Sequence, residues 1–328
     1  MTRILYSADY ELYLGENFLP ENEVLVEPTI ALLAACERIR VPLTLFADVA
    51  CIWRYREEGD DAFPDAAEAQ LRDAVRGGHD VQVHLHPHWL HAGRENGCWR
   101  APLDTFSVGA LEDPAPILAR AKTYLEELLR PIDPEYSCVA FRAGHYSLQP
   151  DYQRVFAALV DTGYEVDSSV VPGLVLRDEL APVDYRGWRW PEKGRLIYDL
   201  YELPIATALF GPVDAITRRL NPAAPRTRRG RTIRETSGLK PSPLSGVFRL
   251  YPLELGPNAR RLQKIARRYL RRVGKDAEFA FSSHPKAVGE PELEALVAFH
   301  EWLDRDYEVE ALTYQELVAH RAVYASEM

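Results

Sequence analysis

The sequence predicts an α/β fold, a single β/α barrel carrying an Arg- and Pro-rich insertion, on three observations. Short apolar runs alternate with helical patterns; the runs are apolar at consecutive positions, as strands covered on both faces are; and residues able to bind a metal fall where those runs end. A chain of 328 residues can hold one barrel, which takes roughly 200–250 residues before insertions. With 47% hydrophobic and 27% charged residues, disorder is excluded as its main state.

RILYSA opens the chain, followed by a helical pattern over Glu27–Arg38. LTLFADV precedes a pattern near Ala66–Val75, DVQVHLH one near Pro116–Leu129, and CVAFRAG one near Asp151–Asp161. After a fifth run, YEVDSS, a Pro- and Trp-rich stretch is expected to form a long loop at the barrel mouth, before LIYDLYELPI resumes a strand pattern. A second interruption, at about 212–246, is rich in Arg, Pro and Thr and reads as an insertion, a lid or a loop, in one domain spanning 1–328. FRLYPLEL, a helix near Asn258–Val273, EFAFSS, a helix near Pro291–Asp304 and YEVEAL complete the alternation.

Charge is unevenly placed. Between Arg218 and Lys275 there are 17 Lys or Arg against Glu235 and Glu254, in a chain whose net charge is −10. A basic stretch on an acidic body suits contact with a phosphate or an anionic membrane surface; it equally suits packing on that body. No nucleic acid partner is expected. Four scattered cysteines without C-x-x-C spacing read as reduced thiols. The start lacks the pattern of an export signal and no run is long enough to span a bilayer, so a cytoplasmic protein, membrane-peripheral at most, is expected.

Asp9 and Glu11 end the first run and, two apart, point to one side. His84, His86 and His88 end the third, Arg142 and His145 the fourth, Asp167 lies in the fifth, and His284 ends a later one. In a barrel these ends form one rim. Two imidazoles, a carboxylate and open positions are the usual donor set for a catalytic divalent ion, most often zinc. Asp48, ending the second run, either lines the pocket or caps a loop. His79 precedes its strand and reads as structural, as do His86 and His91 when each is taken alone. Tyr10, Trp89, Trp188 and Trp190 would either stack on a sugar or cover the barrel mouth.

The segments S-A-D-Y-E, G-H-D-V-Q-V-H-L-H-P-H, F-R-A-G-H-Y, Y-E-V-D-S-S and F-S-S-H-P, in that order, resemble the five motifs of the polysaccharide deacetylase superfamily, carbohydrate esterase family four, which includes nodulation-factor deacetylases. The resemblance runs from about Arg3 to His320 and implies a distorted (β/α)7–8 barrel of that type. It implies a divalent ion, Zn2+ first, with Co2+, Ni2+ or Mn2+ as others, held by the pair His84 and His88. Asp9 matches the general base. Tyr10 stands where the family has a second aspartate as ligand, so Glu11 is expected to take that role, with Asp9 as the other candidate. Arg142 is implied to orient the base and Asp167 to partner Arg142. The His145 amide is implied to help form the oxyanion hole, although Gly144 replaces the family's proline and His145 its tyrosine. His284 is implied to be the general acid, and burial near a metal requires a carboxylate beside it that the sequence does not identify. Tyr10, His86, Trp89, Gly144, His145 and Tyr146 complete the expected substrate site.

The implied activity is that of a metal-dependent hydrolase removing an N-acetyl or other N-acyl group from a small sugar or sugar conjugate. The expected substrate is an activated or lipid-linked acetamido sugar of surface-polysaccharide biosynthesis. Two other functions fit the altered motifs: hydrolysis of a non-sugar amide or formamide, and non-catalytic glycan binding.

Overall fold

The computed structural model describes residues 1–13, 20–102, 106–176, 182–187, 191–211 and 249–326. Among them the barrel wall consists of β1 (Arg3–Tyr10), β2 (Thr44–Asp48), β3 (Asp80–Leu85), β4 (Ala140–Ala143), β5 (Val166–Asp167), β6 (Leu200–Glu202) and β7 (Glu278–Phe281). Neighbours pair in parallel from β1 through β6, and β7 pairs with β1. The chain just past β6 then reaches β7. Ile205 bridges Ala280, and the Ala206 amide donates to the Ala280 carbonyl at 3.1 Å, so the ribbon closes on itself. A short eighth piece, Glu310–Ala311, pairs with Arg3–Ile4, below the point where β2 joins β1 at Ser7. This is the expected distorted barrel.

The outer layer is α1 (Glu27–Arg38), α2 (Val49–Glu57), α3 (Ala62–Arg76), α4 (Ala115–Leu129), α5 (Tyr152–Asp161), α6 (Ala259–Val273), α7 (Glu290–Tyr307) and α8 (Tyr314–Ser326). With helices outside and side chains filling the inside, β2, β3 and β4 are buried at every position, the reason their sequences do not alternate. Helix starts have local causes. Asp151 accepts from the Arg154 amide and Asn258 from the Arg261 amide, each at 3.1 Å, and Glu292 accepts from the Gly289 amide at 3.1 Å.

Several elements differ from expectation. α2 continues the apolar run of β2 and is buried at Val49–Trp53 and Tyr55, so its sequence shows no amphipathic period. LIYDLYELPI is two strands: Arg195–Ile197 runs antiparallel to β6, joined by Tyr198 (φ 51°) and Asp199 (φ 66°), as in a type I′ hairpin. The strand from FRLYPLEL, Arg249–Pro252, pairs with Thr207–Phe210 outside the wall. α8 plugs the barrel floor. Its Tyr314 amide donates to Asp80 Oδ2 at 3.1 Å, and the Tyr314 ring packs against Phe46 inside the barrel at 5.0 Å.

The basic helix α6 packs Leu262, Ile265, Ala266 and Tyr269 inward. Several of its cations fold back onto the protein: Arg261 lies 4.1 Å over Tyr251, Arg268 4.3 Å over Phe210, and Arg272 pairs with Glu192 at 3.0 Å. The insertion expected at about 212–246, with Trp188 and Trp190, lies outside the described residues. The four cysteines are free. No helix among the described residues is long and apolar enough to cross a membrane.

Candidate metal centre

Residues side by side on parallel strands point the same way. The registers Asp9↔Phe46, Asp48↔His84 and His84↔Arg142 therefore set Asp9, Asp48, His84 and Arg142 facing the barrel interior. Glu11 and His86, each two residues further along β1 and β3, continue the same side past the strand ends. All six are buried.

Glu11 Oε2 lies 3.2 Å from His84 Nε2 and 3.1 Å from His86 Nε2. Each ring is held from behind: His84 Nδ1 donates to the Arg142 carbonyl at 2.8 Å and His86 Nδ1 to Asp48 Oδ2 at 3.0 Å. A carbonyl oxygen and a carboxylate only accept, which assigns the hydrogen of each ring to Nδ1. In their neutral forms both rings then aim a lone pair at one carboxylate oxygen. These donor atoms lie within 4.8 Å of one another, and either a proton on a ring nitrogen or a cation among them relieves the repulsion of the neutral forms. Burial lowers His86 to about 3, whereas at His84 the hydrogen bond to Glu11 and the Asp9 charge outweigh burial and raise it. Outward Nδ1 partners that fix the ring and its tautomer are the arrangement of metal-ligating histidines. The donor set fits a divalent ion. Gly144 permits it, because a Cβ there would fall 2.3 Å from His86 Cδ2.

His88 lies outside this group. β3 ends at Leu85 and Pro87 starts a 3-10 turn over Pro87–His91, so strand alternation stops before His88 is reached. Its ring packs 4.7 Å from Phe106, neither nitrogen has a hydrogen-bond partner among the described residues, and burial lowers it to about 2. In place of the expected pair His84 and His88, the structure brings together His84 and His86. His86, expected as a substrate contact, falls within the group that could hold an ion.

Arg142 is fully buried. It donates from Nη1 to Asp9 Oδ1 at 2.5 Å, from Nε to the Ser168 carbonyl at 3.0 Å, and from Nη2 to Ser168 Oγ at 3.1 Å and Tyr314 Oη at 3.3 Å. Burial alone would raise Asp9; the Arg142 charge, with His84 and His284, brings it below the ordinary carboxylate range. Asp167, expected as the arginine's partner, is instead in register with Phe141, which faces outward onto Tyr164, so Ser168 is the residue turned inward. Asp167 accepts from Ser169 Oγ at 2.7 Å and lies beside Glu202 on the neighbouring strand.

Burial raises both of these carboxyls, and their mutual repulsion raises Glu202 further. A raised carboxyl contributes its stability fully below the unfolded value, about 4.3 for Glu, and loses it as pH climbs through the folded value. Glu202→Gln is therefore expected to gain on the wild type as pH rises from 5 to 8, by at most about 1.4 kcal/mol per pH unit. Urea unfolding of both proteins across that range checks it, and a constant difference would refute the raised carboxyl of Glu202.

His284 has the carboxylate that its proposed chemistry requires. Its Nδ1 lies 3.2 Å from Glu254 Oε1, while Nε2 faces Asp9 Oδ2 at 3.5 Å and Glu11 Oε1 at 3.6 Å. Burial opposes its charge, but Glu254 and Asp9 outweigh it and raise the ring to about 9. Glu254 arrives because the chain after the outer hairpin bridges Ser282, two residues before His284. Sequence reasoning missed it, as it missed Ser168, Tyr314 and Lys286, whose Nζ lies 2.6 Å from Glu11 Oε1.

Tyr10 is placed opposite to Asp9 and Glu11 on β1. It is buried in the hydrophobic core rather than in the substrate site. Trp89 likewise packs inward, 5.3 Å from Trp99 and 6.1 Å from Tyr55. His145 (φ 54°) and Tyr146 (φ 57°) form a turn of two left-handed residues after β4, half-buried, with the His145 ring 5.0 Å from His86. Asp48, one of two open readings, is the partner of His86, and His79 is structural, accepting from the Leu43 amide at 3.1 Å.

No protein-family model matches this sequence, and no curated protein does. Among solved structures, the chain is similar to a Mycobacterium smegmatis protein assigned as a polysaccharide deacetylase, at TM-score 0.49 and 16% identity, over 99% of this chain and 91% of the other. It is similar to the Puue allantoinase at TM-score 0.49 and 11% identity, over 97% and 89%. It is also similar to the catalytic domain of the peptidoglycan N-acetylglucosamine deacetylase from Eubacterium rectale, at TM-score 0.42 and 9% identity, over 95% and 89%.

Proposed function

We propose that this chain is a metal-dependent amide hydrolase that removes an acyl group, acetyl first, from an amino sugar. The observation that carries the reading is the convergence of Glu11, His84 and His86 beside two neighbouring proton carriers: Asp9, held by Arg142, and His284, held by Glu254. A divalent ion among the three donors would supply Lewis-acid polarisation of the acyl carbonyl and acidify water. Asp9, kept ionised by Arg142, accepts a proton from the attacking water through Oδ2, the oxygen not engaged by the guanidinium. His284, charged through Glu254, delivers a proton from Nε2 to the departing amine, which would otherwise leave as an amide anion. Arg142, buried and fixed by Ser168 and Tyr314, keeps Asp9 from turning away.

The proposal extends to an activated or lipid-linked acetamido sugar as substrate, with the basic stretch on its phosphate or on an anionic surface; the sequence resemblance and the charge pattern support this. The test is metal analysis of the purified protein with acetate release scored on a panel of acetamido-sugar nucleotides and lipid-linked sugars. About one equivalent of ion together with acetate release agrees with it. Formate or ammonia from a non-sugar amide would move the substrate to another class. Failure to take up any divalent ion, even after addition, sinks the mechanism.

The His284–Glu254 pair sets the pH range. Because the acid form of His284 is the working one and persists to about 9, the rate should fall only as pH passes that value. In Glu254→Gln the alkaline fall of kcat/KM is expected to move toward the ordinary imidazole value of about 6.5. An unmoved limb in a pH–rate profile would separate His284 from the acid role.

A further inference from the structure

Glu11 has two oxygens with different company. Oε2 faces the two imidazoles, while Oε1 faces the ammonium of Lys286 at 2.6 Å. Lys286 is clamped by the segment that follows β1. It also donates to the Leu12 carbonyl at 3.2 Å, its Nζ lies 4.7 Å over the Tyr13 ring, and Tyr13 Oη donates to its own carbonyl at 3.0 Å. The side chain is only 14% exposed, so water screens this charge poorly. Asp9 and Glu11 bring two carboxylates into the buried end of the barrel, and each has a cationic side chain of its own: Arg142 beside Asp9 and Lys286 beside Glu11.

We propose that Lys286 is a built-in counter-cation of the metal centre. It holds Glu11 in place before an ion arrives, reserves Oε1 so that Glu11 offers a metal Oε2 alone, and weakens metal affinity by standing beside the ion. This rests on Glu11, His84 and His86 being the metal donors. A positive side chain one carboxylate away from a divalent ion repels it, and in a poorly solvated site that repulsion exceeds what the same pair would feel in water. Orientation of Glu11 works in the other direction, but Oε2 is also held by its hydrogen bond with His84 at 3.2 Å.

The experiment is Zn2+ affinity by competition with a chromophoric chelator, with thermal stability of the ion-free and ion-loaded proteins, for wild type, Lys286→Met and Lys286→Arg. Lys286→Met should bind Zn2+ about tenfold more tightly or better, be less stable without the ion, and gain more from it. Lys286→Arg, which keeps the charge, should bind Zn2+ within a few-fold of wild type. Unchanged or weaker binding in Lys286→Met overturns the inference, as does equal tightening in both variants, which would assign the effect to shape. If Lys286→Met fails to fold with or without Zn2+, Lys286 is a strap and the inference is likewise overturned. Absence of stoichiometric metal in the wild type would instead remove the donor assignment on which it rests.

Discussion

His86→Ala is expected to lose stoichiometric metal and with it nearly all hydrolysis, whereas His88→Ala keeps the metal. The contrast follows from where each ring is held. His86 Nε2 lies 3.1 Å from Glu11 Oε2 and its Nδ1 is fixed by Asp48, while among the described residues neither His88 nitrogen is bonded and its ring packs tilted against Phe106. Removing a donor should cost more than the roughly 10–100-fold in metal affinity that loss of a second-layer partner costs, and Asp48→Asn should fall in that smaller range. His88→Ala removes buried ring contacts and should show mainly as lower stability, by about 1–3 kcal/mol. Metal stoichiometry by elemental analysis, read beside thermal unfolding, separates these outcomes. Retention of metal in His86→Ala with its loss in His88→Ala would return the assignment to the spacing that the resemblance implied.

That contrast also shows how much of the site was legible in the sequence. Period-two alternation places Asp9 with Glu11 and His84 with His86 on the inner side of their strands, and it needs nothing beyond residue spacing. The pair His84 and His88 came from family spacing, which carries only if the chain stays regular past the strand, and Pro87 turns it into a 3-10 segment instead. Asp167 shows the same sensitivity on a strand of two residues: a phase change of one puts Ser168 inside and Asp167 outside. Helices with a hydrophobic stripe were visible to within a few residues, as Glu27–Arg38 and Ala115–Leu129 were, but α2, apolar nearly all round, merged with β2. Glu254 and Lys286 could not be found by pattern. Glu254 is brought to His284 by a single bridge to Ser282, and Lys286 reaches Glu11 across 275 residues, both consequences of barrel closure rather than of local sequence.

Asp9→Asn should separate proton transfer from metal binding. Asp9 does not belong to the converging donor group; its Oδ1 is taken by Arg142 and its Oδ2 faces His284. The variant is therefore expected to bind the ion as wild type does while kcat falls by about 10²–10⁴, the usual contribution of a positioned general base. It also strips a fully buried guanidinium of its only charged partner among the described residues, with Ser168 and Tyr314 left as neutral acceptors. Breaking such a pair from one side costs about 3–5 kcal/mol. Because Arg142 holds Asp9 below the ordinary carboxylate range, this stability is present above the unfolded value of about 3.9 and is lost as pH falls through the folded one. The gap between wild type and Asp9→Asn in urea unfolding should then be widest near neutrality and close in acid. Loss of metal from Asp9→Asn would make Asp9 a ligand and leave Glu11, already paired with Lys286, to be tested as the base.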